Sequence, residues 1–406
     1  MPALRSNESV DSGWLVSHNP QSGLPKRFAK MQGTSVSTTE CPVTLATEGS
    51  MCNPIGERRD RRPSLADVAR HVGVSVTTAS HALSGKRPVA AETVRAIEEA
   101  IDELGYTPNR AATTLALGAT RTIGLVVPDI SNPFFALLAK GVEDAAEVHG
   151  FNLILANTDF DHQREDRALR MVSARAIDGL IYAAGALPQE GTLPALMAAL
   201  PVAIIDEELP VEGVLTVASD NERGGQLVAD HLADLGHRDV LVLTGPEGLP
   251  TSSQRSAALR RGHEQGRFRI VERTADYSGA LARVLVADEL REHGTWFTAI
   301  YAHNDLSAIS AIDVLAAHGI AVPREVSVVG FDDIPPASLI CPTLTTVHQP
   351  VHELGWAAAE NVIALLQTED GLPAHREIMP VELRCRESTA PARHDPQASV
   401  PRRRTE

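Results

Sequence analysis

Apolar and polar positions change period along this chain, and the change divides it. From Ser64 to Asn109 the period is helical and predicts three short helices joined by tight turns. The first starts at Ser64, whose hydroxyl can cap the amides freed at a helix start, with Asp67 in capping-box position, and it ends at Gly73. Ser75 caps a second helix running to about Leu83. The small and apolar Ala69, Gly73, Val74 and Ala79 suit two helices that cross closely through a short turn, which is helix-turn-helix geometry. A third helix, about Ala91 to Leu104, closes at Gly105, and its Val94, Ile97, Ile101 and Leu104 form the predicted shared core. From Thr122 onward, short apolar runs (TIGLVVP, FNLILAN, DGLIYAAG, PVAIID, DVLVLTG, TAIYAHN, VSVVGFD) alternate with helical patterns, predicting about ten strands in parallel sheets covered on both faces. Over this length two smaller sheets with a cleft between them are favoured over one.

Charge sharpens the first segment. Between residues 58 and 95 eight basic residues stand against three acidic ones, although the whole chain carries a net charge of −15. Phosphate attraction depends on local charge, so a basic helical module on an acidic chain fits DNA binding. The 406 residues are 43% hydrophobic and 22% charged, a globular balance; no apolar run approaches a membrane span and no secretory signal core is visible, so the expected location is the cytoplasm. Cys41, Cys52, Cys341 and Cys385 have no paired spacing, so neither a disulfide framework nor a metal site is implied. Residues 1–61 are rich in Ser, Thr, Gly, Pro and Asn without periodicity and read as a disordered extension, with Met31 and Met51 as alternative starts to Met1.

Polar residues gather where the predicted strands end: Asp129, Asn157, Asp159, Asp206, Asn304, Asp305 and Asp332. Singly, each suits a cap or turn; together they ring one rim, the edge at which open α/β sheets bind ligands. With aromatic faces such as Phe134, Tyr277 or Phe331 they suit a neutral polyhydroxylated ligand, a sugar in first place.

The helical triplet, the following NRAATTLALGATRTIGLVVPDISNPFF and the late VPREVSVVGFDDIPPASLICPTLTTVHQP together resemble the lactose-repressor/galactose-repressor (LacI/GalR) family of bacterial transcription regulators, over about Pro63 to Ala392. The resemblance implies an N-terminal all-α helix-turn-helix headpiece plus an α/β periplasmic-binding-protein-like core of two parallel-sheet subdomains, in a homodimer. It places the headpiece at 62–108, a hinge helix at 109–120 and the effector-binding core at 121–392. Within the core, one subdomain covers about 121–218 and 349–376, the other about 219–348 and 377–392. A tail, 393–406, lacks leucine heptads, so tetramerisation is not expected.

Carried onto this sequence, the resemblance assigns Val76, Thr77 and His81 to base edges and Ser75, Thr78 and Ser80 to phosphates of a pseudo-palindromic operator. His81 stands where the family usually carries arginine, which implies a different operator preference. Asn109, Ala112 and Leu115 fall in the hinge, with Leu115 matching the leucine that wedges into the minor groove. Effector-binding positions fall on Ser131, Phe134, Asp206, Arg255, Asn304 and Asp332, with Arg260 a rival to Arg255. The implied protein is a repressor switched by a small effector, with no cofactor, no catalytic residues and no membrane partner. A purine, nucleoside or co-repressor protein as effector remains open, as does a sugar-binding transport component, and inducer and co-repressor modes are not distinguished. No GxxxxGK[ST] or GxGxxG motif points to an enzyme.

Overall fold

The computed structural model describes residues 63–84, 87–106, 119–173, 177–185, 188, 191–368 and 375–393. The N-terminal extension, the hinge positions Asn109, Ala112 and Leu115, and residues 394–406 of the tail lie outside the described residues.

The first three helices are α1 (Leu65–Val72), α2 (Val76–Ser84) and α3 (Ala91–Leu104). Val68, Ala69, Ala79, Ile97 and Ala100 form their buried centre, with Leu65, Val72, Ile101 and Leu104 packed around it. Gly73 and Gly105 close α1 and α3 at φ 76° and 62°, the left-handed region where a side chain would cost energy.

Two six-stranded sheets make the core. The first contains β1 (Thr122–Val127), β2 (Asn152–Asn157), β3 (Gly179–Ala183), β4 (Val202–Ile205), β5 (Leu215–Ser219) and β11 (Arg376–Met379), in the order β11-β5-β4-β3-β1-β2. The second contains β6 (Asp239–Thr244), β7 (Arg269–Thr274), β8 (Ala299–Ala302), β9 (Ser327–Asp332), β10 (Thr345–His348) and β12 (Glu382–Arg384), in the order β12-β10-β9-β8-β6-β7. Both orders reverse direction beside their first strand, so each sheet has a switch point, between β1 and β3 and between β6 and β8. Helices α4 (Pro133–Val148), α5 (His162–Ser173), α6 (Thr192–Met197) and α11 (Val351–Gln367) accompany the first sheet; α7 (Asn221–Asp234), α8 (Pro250–Glu264), α9 (Gly279–His293) and α10 (Asp305–Ala317) accompany the second. Every residue of β1, β3 and β9 is buried, the consequence of covering both faces, and each sheet carries one apolar cluster per face.

The chain passes between the sheets three times: at Asp220 after β5, at Gln349 after β10, and at Pro380–Val381 between β11 and β12. The third passage lies later than the boundary at 376/377 read from the sequence, because Arg376–Met379 pairs with Thr216–Ser219 in the first sheet. Twelve strands are present among the described residues rather than about ten, and β12 is antiparallel to β10 in an otherwise parallel sheet. An antiparallel edge strand on an otherwise parallel sheet is a common arrangement.

Candidate functional site

The headpiece is built from its caps. The Asp67 carboxylate accepts from the Ser64 hydroxyl at 2.5 Å and from its amide at 3.0 Å, and these bonds hold it well below the usual carboxylate range. Ser75 Oγ accepts from the Thr78 amide at 2.9 Å and shares a 2.8 Å hydrogen bond with the Thr78 hydroxyl. Ala79, fully buried, turns one face of α2 into the bundle, which leaves Ser75, Val76 and Thr77 exposed and Thr78, Ser80 and His81 half-buried. Val76 is 48% exposed at the start of α2, which suits contact with a base edge or a thymine methyl.

The second candidate site lies between the two core sheets, beyond the carboxyl ends of their strands. Loops after β1 and β3 bring Pro128, Asn132 and Ala184, and those after β2 and β4 bring Phe160, Asp206 and Glu207. From the other sheet come Leu249, Tyr277, Asn304 and Asp332, with Arg255 on α8 and Phe134 and Phe135 on α4. About 370 Å³ of space, part of it open to solvent, lies among these residues. Both switch points open onto it.

Of the effector positions read from the sequence, Phe134, Asp206, Arg255, Asn304 and Asp332 come together on this wall. Ser131 does not line it: the residue is exposed and its hydroxyl donates to Asp129 at 2.7 Å within the turn. Arg260 also stays outside, its guanidinium paired with Glu272 at 3.0 Å on the surface. Phe331 lies beneath the wall, its ring centroid 3.9 Å from the Arg255 guanidinium carbon, whereas Tyr277 reaches the cleft itself. Sequence reasoning missed Phe160 and Glu207. The only signal for Glu207 was its place beside Asp206 at the end of an apolar run, a position that reads equally well as solvated.

Four wall residues, Phe160, Asp206, Tyr277 and Asp332, have φ values of 54°, 72°, 57° and 115°. Non-glycine residues in sparsely populated regions cost of order 1–3 kcal/mol each and gather at ligand sites, where the surrounding fold holds them.

Arg255 is the cation of this wall. Its Nε donates to Asn221 Oδ1 at 2.8 Å, one Nη donates to the His303 carbonyl at 2.5 Å and lies 3.6 Å from Asp332 Oδ1. Burial works against its charge, but the carboxylates of Asp332 and Asp206 oppose this and favour the protonated form. Asp206 Oδ1 is buried with no hydrogen-bond partner among the described residues, an acceptor free for a ligand hydroxyl. Glu207 is held by the Thr251 amide at 3.0 Å and the Thr251 hydroxyl at 2.5 Å, and that hydroxyl bonds Tyr277 at 2.8 Å. Asn304 caps α10 with its carbonyl oxygen and donates to the Tyr277 carbonyl at 2.9 Å, which fixes the aromatic wall.

Burial pushes Glu207 up to about 8 and Asp305, behind the wall, up to about 7; it raises Asp206 and Asp332 as well, with Arg255 opposing. Buried His303 and His237 and half-buried His231 are instead lowered by desolvation. For the carboxyls the folded chain binds more protons than the unfolded one between the ordinary carboxylate range near 4 and about 7 to 8, so stability falls as pH rises across that window and levels off above it; for the histidines it falls as pH drops below the ordinary value near 6.5. Above pH 6.5 the histidines no longer contribute and only the carboxyls act, so the melting temperature is expected to be several degrees lower at about pH 8.5 than at about pH 6.5. Glu207→Gln should flatten the alkaline limb. A wild-type melting temperature that climbed from pH 6.5 to about 8.5 would contradict the assignment of the buried carboxyls.

Comparison with known proteins matches both regions of the chain. A family model described as bacterial regulatory proteins, lacI family, matches residues 64–109, and one described as a periplasmic binding protein-like domain matches residues 229–389. The chain is 32% identical over 330 residues to the ribose operon repressor of Halalkalibacterium halodurans, covering 80% of this chain and 97% of that protein. It is 32% identical over 316 residues to the HTH-type transcriptional repressor PurR of Aliivibrio fischeri, covering 76% and 93%. Among solved structures, the lac repressor dimer bound to operator and the anti-inducer ONPF superposes with a TM-score of 0.71 at 26% identity, over 81% of this chain and all of that one. A LacI family transcriptional regulator from Enterococcus faecalis with bound ribose gives 0.61 at 30% identity, over 67% and all of that chain. The headpiece, the paired sheets and the cleft between them thus recur together in proteins of one kind: the chain belongs to the lacI family of bacterial regulatory proteins.

Proposed function

We propose that this protein is a dimeric repressor, without catalytic activity, that binds a pseudo-palindromic operator through α2 and releases or tightens it when a small polyol occupies the cleft. The observation that carries the reading is the pairing, in one chain, of an exposed recognition face on α2 with a strained, half-satisfied cleft at both sheet switch points. Val76, Thr77 and His81 would face bases and Ser75, Thr78 and Ser80 phosphates, with Ser75 and Thr78 also holding the helix start. Asn109, Ala112 and Leu115 would form the hinge contact with the minor groove. Phe134, Asp206, Arg255, Asn304 and Asp332 would hold or frame the effector, with Ser131 left outside the cleft. A sugar is supported by the unpartnered acceptor Oδ1 of Asp206, which a hydroxyl donor satisfies, and by the ribose operon repressor and ribose-bound regulator among the similar proteins. The repressor would act in the bacterial cytoplasm, on the nucleoid.

Selection of bound duplexes from a random DNA pool tests the operator half of this reading. A two-fold-related consensus is expected, and Thr77→Ala should weaken its binding by roughly tenfold to a hundredfold, the cost of ~1–3 kcal/mol for one base contact. Enrichment of no symmetric site would remove the repressor assignment. For the effector half, a thermal-shift screen of sugars and nucleosides should show concentration-dependent stabilisation by a pentose or hexose. A nucleoside responding while every sugar stayed silent would replace the sugar.

A further inference from the structure

The wall of the cleft is tied to the segments on which the chain passes between its two sheets, and each tie runs through one buried amide side chain. Asn221 stands one residue after the first passage, where β5 of the first sheet gives way to α7 of the second, and it is 1% exposed. Its Oδ1 accepts from Arg255 Nε at 2.8 Å while its Nδ2 donates to the carbonyl of Ser219, the last residue of β5, at 3.0 Å. One side chain therefore links the cleft cation to the end of the opposite sheet. The third passage is fastened to the first, because the Asp220 amide donates to the Met379 carbonyl at 2.9 Å.

Gln349 occupies the second passage, between β10 and α11, and is likewise 1% exposed. Its Nε2 donates to Asp332 Oδ1 at 2.8 Å, the same oxygen that lies 3.6 Å from Arg255. Its Oε1 is buried with no partner among the described residues. An unsatisfied buried acceptor is costly, and an apolar side chain of similar length would fill the same space without that cost. The amide at position 349 is thus poorly explained by stability and well explained by its contact with Asp332.

We infer that Asn221 and Gln349 are positioning residues that carry occupancy of the cleft to the inter-sheet passages, Asn221 from Arg255 to the first and third, and Gln349 from Asp332 to the second. The inference rests on the proposed function in taking Arg255 and Asp332 as effector contacts. A ligand that draws Asp332 or Arg255 toward itself competes with these two bonds, and the passages they hold are the points about which the two sheets can turn. Coupling then needs no continuous path through the core, because each half of the Arg255–Asp332 pair already holds one passage.

Amide hydrogen exchange of the full-length protein without ligand tests this directly. Asp332→Ala, which deletes the acceptor, and Gln349→Met, which deletes the donor, should each speed exchange at Gln349, Val351 and Leu354 by roughly tenfold, the factor one such hydrogen bond carries, and leave Asp220 and Gly224 unchanged. Asn221→Asp keeps the acceptor for Arg255 and removes the donor to Ser219, so it should do the reverse: faster exchange at Asp220 and Gly224, and none of the change around Gln349. Gln349→Glu supplies an isosteric control that a packing role would not reproduce. Corrected for intrinsic rates, its effect should be large at about pH 8.5 and shrink at about pH 5.5, where a proton shared with Asp332 restores the bond. Uniform acceleration across the core in every variant, or none in any, would overturn the inference.

A second arm measures operator affinity with and without D-ribose as probe. If wild type responds, Gln349→Met should bind the sugar within a few-fold of wild type while the effect of the sugar on operator affinity collapses toward one. A full wild-type response in Gln349→Met would refute the transmission role. Silence of the wild type toward ribose would count against that sugar as effector, with the exchange experiment still deciding the role of the two amides.

Discussion

Gly141→Ala should destabilise the core more than any single side-chain deletion on its surface. Helices α4 and α11 cross at Gly141 and Gly355, and a Cβ on Gly141 would fall on the carbonyl oxygen of His352, while one on Gly355 would fall on that of Leu138. Both obstacles are backbone, which no rotamer change can move aside, so the helices must separate. Separation loosens the contacts of Leu138, Val142, Leu354, Ala358 and Val362, which form the apolar layer over the first sheet. The expected cost is about 3 kcal/mol or more, of the size of severe overpacking, and the melting temperature should fall by roughly 10 °C. Alanine is the better helix former by about 1 kcal/mol, so propensity alone predicts the opposite sign. Urea unfolding of Gly141→Ala beside Lys140→Ala, an exposed neighbour on α4, separates the two: a midpoint equal to or above wild type would show that the helices can part without loss.

That crossing illustrates what the sequence could and could not disclose. The caps and turns of the headpiece were legible because their chemistry is local: Ser64 with Asp67, Gly73, Ser75 and Gly105 each act on residues within one turn of themselves. The central strands were legible because burial on both faces leaves an unbroken apolar run, as in β1 and β9. The runs LTVAS, RIVERT, TTVH, REIM and ELR carry no such signature, and as β5, β7, β10, β11 and β12 they are strands through their partners rather than their composition. The third passage was placed too early for the same reason, since REIM belongs to the first sheet only by pairing with β5.

The cleft divides similarly. Asp206, Asn304 and Asp332 declared themselves by standing where apolar runs end, and Arg255 emerged through the family resemblance. Glu207 could not, because its burial depends on Thr251, more than forty residues away, donating both an amide and a hydroxyl to it. Ser131 shows the converse. It sits in the right loop, yet its hydroxyl is spent on Asp129, two residues earlier. The close approach of α4 and α11 also escaped notice, because a glycine within a helical pattern gives no hint of which backbone will lie against it.

Arg255→Met should abolish effector binding and weaken the core, and the size of the second effect should depend on pH. The arginine is 3% exposed, so its charge is held by its neighbours rather than by water. Removing it leaves Asn221 Oδ1 and the His303 carbonyl without their donor and leaves Asp206 and Asp332 without their cation, while methionine still fills part of the space over the Phe331 ring. Breaking a buried ion pair from one side costs ~3–5 kcal/mol when the remaining charge stays ionised. Here it need not stay ionised. Burial already raises Asp206 and Asp332, with Arg255 the main force opposing, so in the variant both rise further. Raised folded-state carboxyls bind protons that the unfolded chain has released, and their unfavourable effect appears as pH rises and fades as it falls. The deficit of Arg255→Met relative to wild type should therefore be largest at about pH 8.5 and shrink by about 1–2 kcal/mol at about pH 6, as the two carboxyls take up the protons that replace the guanidinium. Arg255→Lys should recover the charge without the fork that reaches Asn221 and His303 together, giving an intermediate and less pH-dependent loss. Melting curves of the three proteins across that range distinguish the cases. A deficit that stayed constant with pH would mean that Arg255 contributes through packing and neutral hydrogen bonds alone, and that the carboxylates of the cleft are neutralised by something other than this side chain.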